Sequence, residues 1–93
     1  MKINAAIQLL PLGAKEDKYE LIDNAIELIQ LSGLNYKVCP FETVVEGATE
    51  KVYALIRQIQ EETLKKGSEE LLINIKIHAA NRDLDFKDKL AKY

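Results

Sequence analysis

The residues that could carry acid–base or nucleophilic chemistry are few in this sequence and lie far apart. His78 is the only histidine and Cys39 the only cysteine. A structural zinc site built from Cys and His needs about four such ligands. His78 could act as a general base or metal ligand, but a hydrogen-bonded or solvated imidazole is favoured. Cys39 lacks a nucleophile motif and is predicted to be a packed thiol. We therefore predict no catalytic residue, no metal ligand and no required cofactor.

The segment Thr-Val-Val-Glu-Gly at 43–47 holds the most informative pair of polar side chains. Side chains three residues apart point to opposite faces of an ideal strand, so Thr43 and Glu46 cannot converge in mid-strand. At a strand end beside Gly47, the backbone could turn the Glu46 carboxylate into the crevice between sheet and helix, where it would bind a cationic or amidine-like heterocycle. Alternatively, the carboxylate accepts hydrogen bonds from backbone N–H groups at the start of the following helix. The local chemistry leaves both possibilities open.

The composition indicates what kind of chain must position these residues. The 93 residues are 47% hydrophobic and 30% charged, with a formal net charge of −2. This predicts a single globular domain over residues 1–93, and the absence of a basic excess argues against nucleic acid as a partner. No apolar run approaches the ~20 residues that cross a bilayer, so no membrane association is expected. The single cysteine fits a cytoplasmic location.

Hydrophobic periods of two and of 3.6 residues alternate along the chain and predict its elements. The predicted strands span 2–10, 34–39, 41–46 and 71–79; the predicted helices span 16–32 and 49–66, with a short helix within 85–93. With right-handed crossovers, the order βαββαβ places both long helices on one face of a four-stranded antiparallel sheet. The predicted fold class is therefore α+β, a ferredoxin-like sandwich with a short C-terminal helix.

Each long helix shows an apolar stripe and recognisable ends. The first and fourth strands carry nearly continuous apolar faces and are expected to dock under the helices. Gly33 is the predicted C-terminal cap of the first helix, and Thr49 is the predicted N-cap of the second. The apolar stripes are Tyr19, Ile22, Ile26 and Ile29, widened by Leu21, Ala25 and Leu28, in the first helix, and Val52, Leu55, Ile56, Ile59 and Thr63 in the second.

The sheet face that the two helices do not cover, called here the open face, has an intermediate polarity. It carries too little charge for a typical solvated face and too many amides for a core. Such a face suits packing against a second subunit or lining a semi-polar pocket, although antiparallel sheets also leave one side in water. Its predicted members are Asn4, Ala6, Gln8, Asn74, Lys76 and His78, with Leu10 and Leu72 at the ends.

The sequence resembles the small thiamine-binding protein family over nearly its whole length. The segment Thr43–Gly47, followed by a helix, is the most specific element of the resemblance. The resemblance implies a ferredoxin-like fold, subunits that pair through their sheets, commonly as a dimer of dimers, and non-catalytic ligand binding in the cytoplasm. The other matching segments are Pro11-Leu12-Gly13, Ser32 to Tyr36, Lys66-Gly67 and Ile75-Lys76-Ile77.

The resemblance also implies a ligand and a site. Thr43 and Glu46, with Gly47 beside them, are the candidates for hydrogen bonding the aminopyrimidine ring of thiamine or a hydroxymethylpyrimidine compound. Asn4, Gln8 and His78 are added from their predicted place on the open face. A second hypothesis is an interaction module whose open face serves only for assembly. An enzyme ranks third, because His78 has no visible catalytic partner.

Overall fold

The computed structural model describes residues 1–13 and 17–93, and its described elements confirm the predicted order and fold class. Glu16, the predicted first residue of the first helix, lies outside the described residues. The sheet is antiparallel, four-stranded and ordered β2-β3-β1-β4. The elements are β1 (Lys2–Leu12), α1 (Lys18–Leu31), β2 (Asn35–Val38), β3 (Thr43–Ala48), α2 (Thr49–Lys65), β4 (Glu70–His78) and α3 (Phe86–Lys89).

Two strand ends lie beyond their predicted positions. β1 continues through Pro11 to Leu12. Beyond Ile7 it pairs only with β4, so one side of the strand is unpaired. A proline, which has no N–H, is tolerated at such a position. β3 continues past Glu46, since Gly47 pairs with Ile3 in the ladder with β1. The predicted break at Gly47 is therefore wrong, and Glu46 lies inside a regular strand.

The core lies between the sheet and the two long helices. The predicted stripe of α2 is confirmed, with Val52, Leu55, Ile59 and Thr63 buried. In α1 the prediction is partly wrong. The buried residues are Leu21, Ala25 and Ile29, spaced four apart, whereas Tyr19 of the predicted stripe is 66% exposed. The core cluster contains Ile3, Ala5, Ile7, Ala25, Ile29, Leu34, Val45, Val52, Leu55 and Ile59.

The fourth strand is less covered than predicted. β1 and β3 occupy the centre of the sheet, whereas β4 forms one edge. Ile75 and Ile77 of β4 point to the helix side, in register with Ile7 and Ala5, yet they are 38% and 39% exposed. Ile75 and Ile77 are exposed because β4 lies at the edge of the sheet, and the apolar pattern of a strand does not encode its place in the strand order.

Of the two predicted helix caps, Gly33 is found at the end of α1, whereas Thr49 is not the N-cap of α2. Gly33, directly after the Ser32 cap of α1, has a φ of 77°, the left-handed conformation that glycine adopts readily. Thr49 is not a cap: α2 has Ala48 at its N-cap, and the Thr49 hydroxyl donates to the Met1 carbonyl at 3.0 Å. Thr49 thus joins the start of α2 to the start of β1.

The residues after β4, 79–93, are called here the C-terminal segment, and they return to the open face. The predicted helix within 85–93 is shorter in the structure, at Phe86–Lys89. Leu84 is buried, and its N–H donates to the carbonyl of Lys2 at 3.0 Å. Part of the face that the sequence predicts to be uncovered therefore lies under this segment.

Candidate functional site

The register of the sheet arranges the open face in rows that run across all four strands. Residues in register on neighbouring strands share a face, and alternate residues of each strand share that face too. One row, the polar row, consists of Asn35 (β2), Glu46 (β3), Asn4 (β1) and His78 (β4). The next row, the lysine-edged row, consists of Lys37 (β2), Val44 (β3), Ala6 (β1) and Lys76 (β4).

Glu46 connects the polar row to the C-terminal segment. One carboxylate oxygen, Oε2, accepts from the backbone N–H of Phe86 at 2.6 Å, and the other, Oε1, accepts from Asn35 Nδ2 at 2.6 Å. The carboxylate therefore lies on the open face. The predicted turn into the crevice beneath the helices is wrong, and so is the alternative at the start of α2, because the N–H group belongs to α3.

Lys2 forms a second attachment for the same segment. Its ammonium lies 2.6 Å from Asp85 Oδ1, and its backbone N–H donates to Asp83 Oδ1 at 2.7 Å. The hydrogen bond and the charge of Asp85 raise the pKa of Lys2 above its ordinary value of 10.5. These contacts hold the segment against the start of β1.

Asn4 is the most enclosed polar side chain of the open face. It is 5% exposed, and its Nδ2 donates to the Leu84 carbonyl at 3.1 Å. Its Oδ1 is buried and has no hydrogen-bond partner in the described part of the chain. Because a buried acceptor without a partner costs about 1–3 kcal/mol, such an atom needs an explanation.

A cavity of about 450 Å³ lies where the two rows meet the C-terminal segment. Its volume falls within the ~300–1,000 Å³ that is common for small-molecule sites. Asn4 and His78 line it from the polar row, and apolar residues of the sheet and of the C-terminal segment provide much of its wall. The other lining residues are Ala5, Ala6, Lys37, Cys39, Val44, Lys76, Ile77, Phe86, Lys89 and Leu90.

Comparison with known proteins identifies the family. The family model described as thiamine-binding protein matches residues 5–93. The chain belongs to the thiamine-binding protein family. A UPF0045 protein of Clostridium perfringens is 28% identical over 90 residues, which cover 97% of this chain and 95% of that protein.

Two solved structures share the fold of this chain. A Bacillus cereus domain of unknown function is 29% identical, with a TM-score of 0.94 over 100% of this chain and 90% of that one. A Thermotoga maritima protein, described as a candidate for thiamine biosynthesis or salvage, has a TM-score of 0.87 at 24% identity, covering 100% of this chain and 99% of that one. The second likeness supports the fold.

Three of the residues that the family resemblance or the predicted open face suggested lie away from the cavity. Thr43 is buried on the helix-covered face, where it lines a separate crevice of about 300 Å³ beside α1. Gly47 also faces the helix side, and a Cβ there would clash with Leu34 Cδ2. Gln8 lies on the open face, where its Oε1 accepts from Asn74 Nδ2 at 3.1 Å. Of the six predicted site residues, only Asn4 and His78 line the cavity.

Much of the cavity wall lies outside the predicted site. Val44 and Lys37 could have been found, because alternation within their strands places them on the same face as Glu46 and Asn35. Phe86 and Leu90, four residues apart, show a short helical stripe, but nothing local indicates the surface that this stripe covers.

Two further findings concern other kinds of site. Across residues 1–13 and 17–93, no group of three or more His, Cys, Asp or Glu side chains is arranged to hold a metal ion. Within the same residues, no helix has the length and apolar character needed to span a bilayer.

Proposed function

We propose that the cavity on the open face binds thiamine or a related hydroxymethylpyrimidine compound without chemical turnover. Membership of the thiamine-binding protein family supports the ligand class. The observation that carries the location is the buried Oδ1 of Asn4, an acceptor without a partner among the described residues, in a residue that lines the cavity. Because this oxygen is closed to solvent, we infer that the Asn4 amide turns toward the cavity when the ligand binds, and that the exocyclic amino group of an aminopyrimidine then supplies the donor that the oxygen lacks.

The surroundings of Asn4 suit a flat heterocycle. Val44 and Ala6 of the sheet and Phe86 and Leu90 of the C-terminal segment line the cavity, so its wall offers apolar contact to a ring. His78, next to Asn4 in the polar row, supplies a second polar contact. We infer that binding satisfies Asn4 while it buries the ring.

Glu46 has a different role in this proposal from the one that the sequence predicted. Its two oxygens are already occupied by Asn35 and by the N–H of Phe86. We infer that Glu46 holds the C-terminal segment in the position that forms the cavity wall. Thr43 lies across the sheet from the cavity, so this ligand site does not include it.

The experiment that tests this function is calorimetric titration with thiamine and with hydroxymethylpyrimidine. Asn4→Leu removes the acceptor, and we expect its affinity for both ligands to fall at least ~10-fold. Asn74→Leu is the matched control, because Asn74 is an exposed amide of the open face that bonds to Gln8 outside the cavity. Circular dichroism confirms that both variants fold. Equal affinity in the wild type and Asn4→Leu, or no binding by the wild type, contradicts the proposal.

One observation favours assembly as a second function of the same face. Leu10 and Leu72 lie opposite each other in the β1–β4 ladder and are 37% and 50% exposed. An apolar pair of this kind fits the sheet-paired homo-oligomer that the family resemblance implies. The same resemblance implies a cytoplasmic location. Light scattering tests it: Leu10→Glu should reduce the measured mass if the open face joins subunits. A wild-type mass equal to one chain eliminates this function.

A further inference from the structure

The charged residues that line the cavity all have the same sign. Lys37, Lys76 and Lys89 contribute to its wall, and none of its lining residues in the described chain is an Asp or Glu. The chain as a whole has a net charge of −2. The positive charge at this cavity is therefore a local feature that the overall composition does not indicate.

Of the three lysines, only Lys76 has a carboxylate within ion-pair distance among the described residues. Glu42 lies 3.8 Å from the ammonium of Lys76. Glu46 is bonded to Asn35 and to the segment, and Asp85 pairs with Lys2. Across the described residues, Lys37 and Lys89 have no carboxylate within 4.0 Å. Two of the three lysines are thus available to an anion.

Two of the lysines lie at opposite ends of the row next to Asn4. Lys37 and Lys76 occupy the two edge strands of the sheet, about 14 Å apart at a strand spacing of ~4.8 Å, while Lys89 approaches from α3. Asn4 lies on β1, between the edges. A ligand whose N–H donor meets Asn4 therefore extends its far end toward an ammonium group.

We propose that the preferred ligand carries an anionic group at that far end, so that a phosphate ester of the aminopyrimidine class binds more tightly than its unesterified form. This inference rests on the proposed function. Lysine ammonium groups form charge-assisted hydrogen bonds to phosphate oxygens. The same groups repel the thiazolium cation of thiamine, and a phosphate on that cation offsets the repulsion.

The test is a comparison of thiamine with thiamine monophosphate by calorimetry at constant ionic strength. We expect the wild type to bind the monophosphate at least ~10-fold more tightly, and added salt to reduce this ratio. In the variant Lys37→Gln, Lys76→Gln, Lys89→Gln the ratio should fall to about one, while the affinity for thiamine stays the same or rises.

The matched control carries Lys51→Gln, Lys65→Gln and Lys66→Gln, which make the same change in net charge on and beside α2, far from the open face. Its ratio should equal that of the wild type. Inorganic phosphate should compete with the monophosphate only weakly, because it lacks the ring; full competition at equal concentration overturns the inference.

The outcomes separate this inference from the function on which it rests. If thiamine binds as tightly as its monophosphate, or if both triple variants lose the preference equally, the inference fails and the proposed function stands. If neither compound binds, both fail.

Discussion

Val44 and Val45 are neighbours in β3, yet they belong to two differently constructed halves of the protein. Val45 is 0% exposed and packs with the helices, whereas Val44 is half-buried and lines the cavity on the open face. On the helix side, apolar side chains from β1, β3 and both long helices form a continuous core. On the open side, hydrogen bonds and an ion pair attach the C-terminal segment.

This difference separates the source of stability from the proposed binding site. Burial of apolar surface is non-directional, so the helix side gains stability from many equivalent contacts. Hydrogen bonds depend on direction and partner, and on the open side one buried acceptor, Asn4 Oδ1, has no partner among the described residues. Most of the stability therefore comes from the helix side, whereas the proposed site lies on the open side.

The largest difference should appear when the two valines are truncated separately. We expect Val45→Ala to lower the free energy of unfolding by about 2–3 kcal/mol and Val44→Ala by less than about 1 kcal/mol, since only Val45 leaves a closed void. Urea denaturation measures both values. Equal costs would mean that the open side is packed as closely as the core.

Removal of the Glu46 carboxylate should loosen the C-terminal segment without unfolding the core. A hydrogen bond to a charged group contributes about 1.5–3 kcal/mol, so in Glu46→Ala the Phe86 amide should exchange about 10–100 times faster. Hydrogen exchange followed by NMR measures this directly. Asn35→Ala, which retains the bond from Glu46 to Phe86, should change the rate much less. An unchanged rate in Glu46→Ala would show that the apolar contacts alone hold the segment.

The smallest effect should come from the ion pair between Lys2 and Asp85. Because the pKa of Lys2 is raised in the folded protein, the pair stabilises the fold fully below pH 10.5, and this contribution disappears as the pH rises through the raised pKa. Asp85→Asn should therefore be less stable than the wild type at pH 7, and the two should converge at higher pH. Asp88→Asn is the control, since Asp88 forms no ion pair with another described residue. A difference that persists above the raised pKa contradicts this account.

Much of the fold could be predicted from local pattern. The order of the elements, the stripe of α2 and the alternation of faces in β1 follow from periods of 3.6 and two residues, which depend on side-chain direction within one element. Gly33 could be predicted for a similar reason, because its left-handed conformation is a local requirement.

The candidate site could be predicted only in part. Asn4 and His78 were found because alternation places them on the open face. The sequence indicates Glu46 as a candidate binding residue. It does not indicate that the Glu46 carboxylate accepts from the N–H of Phe86, because Phe86 lies 40 residues away in the chain. The family resemblance suggests Thr43 together with Glu46, whereas the ladder with β1 continues past Glu46 and keeps the two side chains on opposite faces.

By itself, the sequence determined which residues form strands and helices and which side of each strand is apolar, because these properties arise from neighbouring residues. The tertiary structure decided that β4 forms an edge, that the C-terminal segment covers Asn4, and that three lysines from three elements meet at one cavity. Asn4 and Leu84 are 80 residues apart. A contact over that distance depends on the packing of the whole chain, and local periodicity carries no record of it.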